Sequence, residues 1–208
     1  MSPLFITLEG IDGSGKSTQA DLLAFALEQA GHTIVRLREP GGTDISEQIR
    51  HILLDPQNAA MGITCELLLY EAARAQLVHE CIKPALAAGK TVLCDRFYDS
   101  TTAYQAYAGG LDRAAVEQAN KLAIHGCVPS RTLVFDLPVE VAASRAEARG
   151  AKDRMEAKGL AFQARVAAGF RSIAAHEPDR VRLIDADGSV EDVFARVCNA
   201  LKGLVDLS

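Results

Sequence analysis

A short glycine-rich segment near the start of the sequence ends in a lysine and a hydroxyl residue. It reads Gly10-Ile11-Asp12-Gly13-Ser14-Gly15-Lys16-Ser17 and fits the pattern G-x-x-x-x-G-K-S. Glycines let backbone N–H groups turn toward an anion, the lysine can reach the outer phosphates of a nucleotide, and the serine hydroxyl can reach Mg²⁺. A chance glycine-rich turn is the alternative, but at average glycine usage only about one chain in a hundred would contain this pattern. We therefore predict a P-loop that binds nucleotide phosphates.

A second candidate for phosphate chemistry is the pair Asp95 and Arg96, which follows the apolar run Thr91–Cys94. In P-loop enzymes, an acidic residue at the tip of a buried strand supplies a second protein contact to Mg²⁺. We therefore predict Ser17 and Asp95 as the metal-binding residues. An aspartate that only caps its strand is the alternative, and Asp95 alone does not decide between the two.

Strands and helices that alternate along the chain must position these residues. Short apolar runs predict five β-strands, at Leu4–Leu8, Thr33–Leu37, Thr91–Cys94, Thr132–Leu137 and Val181–Ile184. Helical spacing of apolar residues predicts α-helices at Lys16–Ala30, Glu66–Ala88, Arg113–His125, Val139–Arg149, Leu160–His176 and Val190–Leu204.

Single residues predict how the first two helices begin and end. Gly31 and Gly89 are expected to terminate them, since glycine accepts the left-handed conformation that follows many helices. Thr64 is a possible N-cap of the second helix. Pro84 lies inside it, so a kink or a break is expected there.

The alternation of strands and helices predicts a fold class. It favours a parallel sheet with helices on both faces, which is the three-layer α/β fold of P-loop NTPases, here with five strands. In such sheets ligands bind beyond the carboxyl ends of the strands. The chain shows no internal repeat, low-complexity stretch or linker, so one domain is expected over residues 1–208.

Composition limits the class of partner. The chain has 208 residues, of which 49% are hydrophobic and 24% charged, which is typical of a globular protein. The net charge of −5 and the lack of a basic tract argue against binding to a nucleic-acid polymer. A few placed arginines could still bind a single anionic ligand.

Cysteine usage and the N-terminus predict a location. Five scattered cysteines without a C-x-x-C pair favour free thiols in a reducing cytosol over disulfides or a zinc site. The N-terminal apolar run Leu4–Leu8 is too short for a signal peptide and has no basic flank. Apolar runs also stay below the roughly 18 residues of a membrane span. We expect a cytoplasmic protein that does not enter a membrane.

Two further constellations narrow the acceptor of the phosphoryl group. The first is Glu39-Pro40-Gly41-Gly42-Thr43, followed by Glu47 and Arg50. The second is Asp95-Arg96-Phe97-Tyr98-Asp99-Ser100-Thr101-Thr102-Ala103-Tyr104-Gln105. Together with the P-loop they resemble bacterial thymidylate kinases over nearly the whole chain. The resemblance implies that ATP, with Mg²⁺, phosphorylates thymidine monophosphate to thymidine diphosphate on the route to dTTP.

The resemblance also implies roles for matching residues. Arg50 and Arg96 would grip the 5′-phosphate of thymidine monophosphate, which suits the planar fork of arginine. Tyr70 would stack on thymine, where many relatives have phenylalanine, and Arg74 would hydrogen-bond the thymine O4. The other residues of this site would be Thr101 and Gln105 at the N3 edge of the base, Tyr104 near the sugar, and Glu39 near the magnesium and phosphates. The ATP site would comprise Gly10, Ile11, Asp12, Gly13, Ser14, Gly15, Lys16, Ser17, Thr18 and Arg145.

Two of these roles have independent physical arguments. Asp12 is a carboxylate inside a phosphate-binding loop, which is unfavourable unless it has another task. The resemblance implies contact with the 3′-hydroxyl of the acceptor and with metal-bound waters. Tyr70 and Arg74 are four residues apart in a predicted helix, so they share one face and can form a base pocket. A tyrosine at the core margin beside a solvated arginine is the alternative.

The charged segment from Ser144 to Glu156 resembles the lid that closes over ATP in nucleoside monophosphate kinases, over about residues 145–157. Composition alone would favour an exposed turn between helices. By resemblance, Arg145 packs on adenine. The P-loop carries no basic residue between Gly10 and Gly15, so the lid must supply the catalytic arginine, as in the lid-arginine type of thymidylate kinase. Arg149 and Arg154 are the candidates, and we favour Arg149. With Lys16, Arg96 and Asp12 they make up the predicted catalytic set.

Two rival functions stay open beside the thymidylate kinase. One is a kinase for another pyrimidine or deoxynucleoside, although the pocket of Arg74 and Gln105 disfavours cytosine. The other is a nucleotide-binding switch, which would have no second nucleotide for two arginines to grip. The helix Glu66–Ala88 carries more than one face of apolar residues, and family members dimerise through this region, so a homodimer is expected. A helix buried within the chain is the alternative.

Overall fold

A five-stranded parallel sheet forms the centre of the molecule. The structure is a computed structural model that describes residues 2–148 and 153–207. The strands are β1 (Phe5–Glu9), β2 (Ile34–Arg38), β3 (Thr91–Asp95), β4 (Arg131–Asp136) and β5 (Val181–Asp185). They lie in the order β2-β3-β1-β4-β5, and every pair is parallel. The predicted α/β fold with five parallel strands is confirmed.

Nine α-helices surround the sheet within the described residues. They are α1 (Lys16–Gln29), α2 (Asp44–Leu54), α3 (Ile63–Leu77), α4 (Lys83–Ala87), α5 (Tyr98–Thr101), α6 (Arg113–Ile124), α7 (Val139–Glu147), α8 (Leu160–His176) and α9 (Val190–Leu201). Single π-helical segments cover Val78–Ile82 and Thr102–Ala108, and short 3₁₀ turns cover Pro56–Asn58 and Glu156–Lys158. In the described part of the chain, none of these helices combines the length and apolarity needed to cross a bilayer.

One prediction about the second helix is wrong and another is borne out. The helix begins at Ile63 after Gly62, so Thr64 lies inside it and does not cap it. The regular α-helix is interrupted just before Pro84, in line with the predicted break: α3 ends at Leu77, the π segment Val78–Ile82 follows, and Pro84 occupies the first turn of α4. A missing N–H is tolerated there because the change of hydrogen-bond pattern has already occurred in the π segment just before it. Gly31 and Gly89 do follow their helices with positive φ values of 89° and 74°.

The sequence analysis missed two helical segments that border the P-loop edge of the sheet. One is α2, whose N-cap Thr43 accepts a hydrogen bond from the backbone N–H of Ser46 at 3.1 Å. That cap, with Asp44 and Glu47 in the first turn, was a readable start signal. The other runs from α5 through the π segment, where no capping side chain marks the start. The end of the last helix is also earlier than predicted, at Leu201.

The core is packed against both faces of the sheet. Ile6 and Leu8 belong to a buried cluster that includes α1 and α9. Their neighbour Phe5 points the opposite way and packs with Val92, Cys94 and the helical segment from α3 to α4. The two faces of β1 are therefore both buried, which is the pattern of a central parallel strand.

A buried carboxylate connects β1 to the segment that follows β3. Glu9 is 0% exposed, and its side chain accepts hydrogen bonds from the backbone N–H of Phe97 at 2.7 Å and from the hydroxyl of Ser100 at 2.5 Å. Arg96, between β3 and these contacts, has a left-handed φ of 69°. A non-glycine residue in that region costs about 1–3 kcal/mol and persists only where neighbours hold it. Glu9 on one side and the Arg96 N–H bond to Leu8 O, at 2.9 Å, on the other hold it here.

Burial raises the pKa of Glu9 from 4.5 to about 8, and the negative charge of Asp99 adds to the effect. Folded Glu9 therefore keeps a proton that the unfolded chain has already released. This proton makes its full contribution to the free energy of unfolding below about pH 4.5, and the contribution is lost as the pH rises from about 4.5 to 8. Gln at this position can accept from Phe97 and donate to Ser100 without a charge. Glu9→Gln should therefore gain at least about 1 kcal/mol of unfolding free energy relative to the parent between pH 5 and pH 8.

Urea unfolding at pH 5, 6.5 and 8 measures this difference. The control is Glu117→Gln, because Glu117 has a side chain 42% exposed in an i,i+4 pair with Arg113. This variant should follow the parent protein at all three pH values. If Glu9→Gln also ran parallel to the parent, Glu9 would be ionised in the folded protein and compensated by Arg96.

Candidate active site

A cavity of about 440 Å³ opens at the carboxyl edge of the sheet. The parallel register pairs Leu8 with Asp95, so the P-loop after β1 and the residues after β3 meet at this edge. Most predicted site residues line the cavity: Asp12, Gly13, Gly15, Lys16, Ser17, Thr18, Glu39, Arg50, Tyr70, Arg74, Asp95, Arg96, Thr101, Tyr104, Gln105 and Arg145. The remaining P-loop residues Gly10, Ile11 and Ser14 belong to the same loop without lining the cavity. The structure therefore brings the predicted nucleotide residues to one place.

Glycines are required at two positions of the P-loop because backbone atoms of neighbouring elements lie very close to it on two sides. A Cβ on Gly13 would lie 2.0 Å from the carbonyl oxygen of Ala142, and one on Gly10 would lie 2.6 Å from that of Phe135. Both residues have positive φ, at 85° and 134°. Helix α1 follows with Gly15 as its N-cap and without a capping side-chain bond. The first N–H groups of α1 therefore remain available to an anion.

Lys16 lies over the loop from which it arises. Its ammonium donates hydrogen bonds to the carbonyl oxygens of Gly10 at 2.9 Å and Ile11 at 3.0 Å. Burial, and next the positive charge of Arg96, lowers its pKa from 10.5 to about 8, against the opposing effect of Asp12 and other carboxylates. Phosphate groups would relieve this cost, because added negative charge favours the protonated ammonium.

The residues predicted to bind a metal fit a hard cation. Asp95 has one buried carboxylate oxygen, Oδ1, that has no hydrogen-bond partner within the described residues. Buried polar atoms are normally paired, so this oxygen is suited to a ligand, and Ser17 lines the same cavity. Across the described ranges, no group of three or more His, Cys, Asp or Glu side chains could hold a metal alone. A magnesium ion here would therefore take further ligands from phosphates and water.

Arg96 and Arg50 line the cavity, and a third arginine, Arg38, lies near Arg50. Arg96 donates to Asp12 at 2.7 Å and to the Ser100 hydroxyl at 3.2 Å, and its guanidinium lies 5.4 Å from the centre of the Tyr104 ring. Arg50 donates to the carbonyl oxygen of Pro40 at 2.8 Å. Burial and then the neighbouring Arg38 lower the pKa of Arg50, so an anion would be favourable between these cations.

Arg38 is a cavity residue that the sequence analysis missed. It ends β2, directly before the Glu39-Pro40 motif, and donates to Pro40 O at 3.0 Å. Its other guanidinium nitrogen bonds Glu47 at 2.9 and 3.0 Å. Its place at the carboxyl end of a predicted strand was the available signal.

Arg74 is buried and held by two carboxylates. Its Nε donates to Glu39 at 2.8 Å, and Nη1 donates to Glu71 and, at 2.9 Å, to the hydroxyl of Thr101. The side chain is 2% exposed yet lines the cavity. Glu39 is thus a partner of Arg74, with its pKa raised to about 7 by burial against the effect of that arginine. Glu71 has no predicted role, but its spacing of three from Arg74 marks an ion pair on one helical face.

The other residues predicted to contact the base come from α3, α5 and the second π segment. Tyr70 lies one helical turn before Arg74 and lines the same cavity, as the spacing predicted. Thr101 ends α5, and Tyr104 and Gln105 lie in the π segment Thr102–Ala108. An i→i+5 segment is rare and occurs often at functional sites.

The predicted lid is described only in part. Arg145, Asp153 and Met155 line the cavity. Arg154 does not: it is buried, donating to the carbonyl oxygen of Leu53 at 2.6 Å and to Glu66 at 2.5 Å. Arg149, the favoured catalytic candidate, lies outside the described residues.

Comparison with known proteins identifies the family. The family model for thymidylate kinase matches residues 8–197. The chain is 48% identical to the thymidylate kinase of Syntrophotalea carbinolica, over 93% of this chain and 92% of that protein. It is 47% identical to the thymidylate kinase of Pseudomonas syringae pv. tomato, over 100% of this chain and 99% of that protein.

A solved structure agrees with the sequence relatives. The crystal structure of thymidylate kinase from Ehrlichia chaffeensis superposes with a TM-score of 0.81 at 34% identity, covering 97% of this chain and 100% of that one. The fold, the P-loop cavity and the relatives lead to one conclusion. The chain belongs to the thymidylate kinase family.

Proposed function

We infer that this chain is a thymidylate kinase, an enzyme that transfers the γ-phosphoryl group of ATP to thymidine monophosphate and forms thymidine diphosphate for dTTP synthesis. The observation that carries this function is a single cavity with two separate sets of anion-binding groups. Lys16 and the start of α1 form one set, and Arg50 and Arg96 form the other. A nucleotide switch needs only the first set, whereas a nucleoside monophosphate kinase needs both.

Catalysis would depend on alignment and on neutralisation of charge. Lys16 and the P-loop amides would hold the β- and γ-phosphates of ATP, while Arg96 and Arg50 would hold the acceptor phosphate in line with them. Ser17 and Asp95 would hold Mg²⁺, which when bound neutralises charge on the phosphates. Asp12, which accepts a hydrogen bond from Arg96, would address the 3′-hydroxyl of the acceptor.

The base would lie against α3 and the second π segment. We assign Tyr70 to stacking on thymine, Arg74 to its O4 and Thr101 with Gln105 to its N3 edge. Tyr104 lies between Arg96 and the core and would border the sugar. Glu39 would act through Arg74, whose guanidinium it holds, and not only near the phosphates as the resemblance implied.

Residues 145–157 would form a lid on a single domain that spans residues 1–208. Arg145 would pack on adenine. Arg149 would supply the catalytic cation, because Arg154 is engaged by Glu66 and the Leu53 carbonyl. The cytoplasm is the location we propose, supported by cysteines that are all unpaired thiols in the described chain.

The acceptor is tested with a panel of nucleoside monophosphates at saturating ATP. Thymidine monophosphate should give the highest kcat/KM and deoxyuridine monophosphate the second highest. The two differ by one methyl group, which in a pocket is worth roughly 10- to 200-fold. Deoxycytidine and adenosine monophosphates should be poorer still. Equal or better turnover of either one would contradict the assigned base pocket.

The lid arginines are tested by alanine substitution. Arg149→Ala should lower kcat at least about a hundredfold with little change in binding of either nucleotide, because the arginine would act on charge that develops in the transition state. Arg145→Ala is the matched comparison and should instead raise the KM for ATP. If the double variant Arg149→Ala/Arg154→Ala kept near-normal kcat in a coupled assay, the lid would only exclude water.

A homodimer is the state we propose for the enzyme. Helix α3 packs against α2 and α6, and all three present large apolar side chains to solvent, namely Ile45 (51% exposed), Ile52 (47%), Leu68 (60%) and Leu122 (81%). Other apolar residues of this region, such as Leu77 and Ile82, are buried in the chain's own core and do not bear on the dimer. Contiguous exposed apolar side chains often mark protein interfaces.

Light scattering after size exclusion tests the dimer. The parent protein should have twice the chain mass of 22.2 kDa, and Leu122→Arg should shift it toward the single mass. Phe25→Arg is the control, since Phe25 is 62% exposed on α1 at the other face of the sheet. A parent protein of single mass would contradict the proposal.

A further inference from the structure

Glu66 is a buried carboxylate to which the mechanism above gives no role. It lies in the first turn of α3 and is 1% exposed. Its Oε1 accepts a hydrogen bond from the Gln105 amide nitrogen at 2.9 Å, and its Oε2 accepts one from Arg154 at 2.5 Å. Lys158 donates to both oxygens at 3.0 Å. One carboxylate thus joins the proposed base-reading glutamine to the end of the lid.

The surroundings of Glu66 keep it ionised. Burial by itself would raise its pKa, but the hydrogen bond from Gln105 and the charges and hydrogen bonds of Lys158 and Arg154 outweigh burial and lower the pKa below its ordinary value. An ionised carboxylate accepts hydrogen bonds and donates none. A buried carboxylate with two cationic partners also has little freedom to move away from its partners.

The Glu66 carboxylate determines which end of the Gln105 side-chain amide faces it. A side-chain amide has an NH₂ donor and a carbonyl acceptor of nearly equal shape, so its hydrogen-bond partners decide its orientation. Glu66 can accept only from the NH₂ group. The carbonyl oxygen of Gln105 is therefore the branch that remains for a ligand, and Gln105, itself 1% exposed, lines the active-site cavity.

An acceptor oxygen at this position distinguishes between pyrimidines. Thymine and uracil carry an N–H at ring position 3, which can donate to it, whereas cytosine carries an unprotonated nitrogen whose lone pair would face it. Arg74 lines the same cavity, and a guanidinium can only donate, which suits an O4 oxygen and not the amino group of cytosine.

We propose that Glu66 is a specificity-determining residue that acts through Gln105. It holds the amide with its carbonyl toward the base and so selects bases with an N–H at ring position 3. The inference rests on the proposed assignment of Gln105 to the base edge. Arg154 and Lys158 also donate to Glu66, which makes the lid end and the base-reading side chain parts of one hydrogen-bonded cluster.

The test is Glu66→Gln, which keeps the shape but replaces the carboxylate by an amide that can donate or accept. Gln105 can then turn over and present its NH₂ group to the base. The measurement is kcat/KM for the monophosphates of thymidine, deoxyuridine and deoxycytidine. The thymidine-to-deoxycytidine ratio should fall at least about tenfold, while the thymidine-to-deoxyuridine ratio stays within about twofold. A purely structural loss would lower all three values in proportion.

Two further variants keep the inference falsifiable. Glu66→Asp retains the charge, but its shorter side chain places the carboxylate farther from Gln105. If Glu66→Gln does not fold, this variant tests the inference and should lower the thymidine-to-deoxycytidine ratio. Lys158→Met removes a cation from Glu66 and leaves the bond to Gln105, so it should retain the parent ratio. Unchanged ratios in both Glu66 variants would overturn this inference alone. A parent enzyme that does not prefer thymidine over deoxycytidine monophosphate would overturn the proposed base pocket as well.

Discussion

The cost of removing arginine from water is the constraint on which the active site depends. A cavity for two anionic nucleotides needs cations in its walls, and a desolvated cation without a partner is strongly unfavourable. Three of the arginines that line the cavity have carboxylate partners, and a fourth, Arg50, donates to the carbonyl oxygen of Pro40. Arg74 bonds Glu39 and Glu71, Arg96 bonds Asp12, and Arg38 bonds Glu47. These carboxylates hold the guanidinium groups where phosphate and base can reach them. Because the arginine side chains are already ordered, less conformational entropy is lost when a ligand binds.

A second constraint is the close approach of backbone at the edge of the sheet. The P-loop passes so near to β4 and α7 that Gly10 and Gly13 have no room for a side chain. On the other side of β1, Arg96 adopts a left-handed backbone that a glycine would occupy more easily, and this residue lines the cavity. The hydrogen bonds that Glu9 accepts from Phe97 and Ser100 stabilise this strained backbone conformation. Stability and function are therefore coupled at one buried carboxylate.

The closing end of the proposed lid is held by a similar buried ion pair, between Arg154 and Glu66. Residues 153–158 are anchored to the end of α2 by the Arg154 bond to Leu53 O and to the start of α3 by Glu66. Gln105, in the π segment, bonds the same carboxylate. The closing end of the proposed lid and the wall that would read the base thus share one buried acceptor. Displacement of Arg154 would remove a cationic partner from this buried carboxylate, and displacement of Gln105 would remove a hydrogen bond.

The sequence by itself determined the features that depend on local pattern. Five apolar runs, helical periodicity and the glycine spacing of the P-loop predicted the strands, most helices, the fold class and the phosphate-binding loop, because these follow from backbone geometry and burial within short segments. Resemblance between motifs supplied the family and named most residues that line the cavity. Capping signals for α2 were present and overlooked, whereas the cap assigned to Thr64 was wrong because propensity at one residue is a weak guide to a helix boundary.

Only the tertiary structure decided which charges meet. Glu9 is 88 residues from Phe97, Glu66 is 88 residues from Arg154, and Glu39 is 35 residues from Arg74. A sequence pattern carries no information on such pairings, because they arise from the strand order and from which helix faces a given strand end. The same limit explains why the sequence left Arg154 as a candidate beside the favoured Arg149. Its engagement with Glu66 depends on packing between α2, α3 and the lid end, which no local spacing encodes.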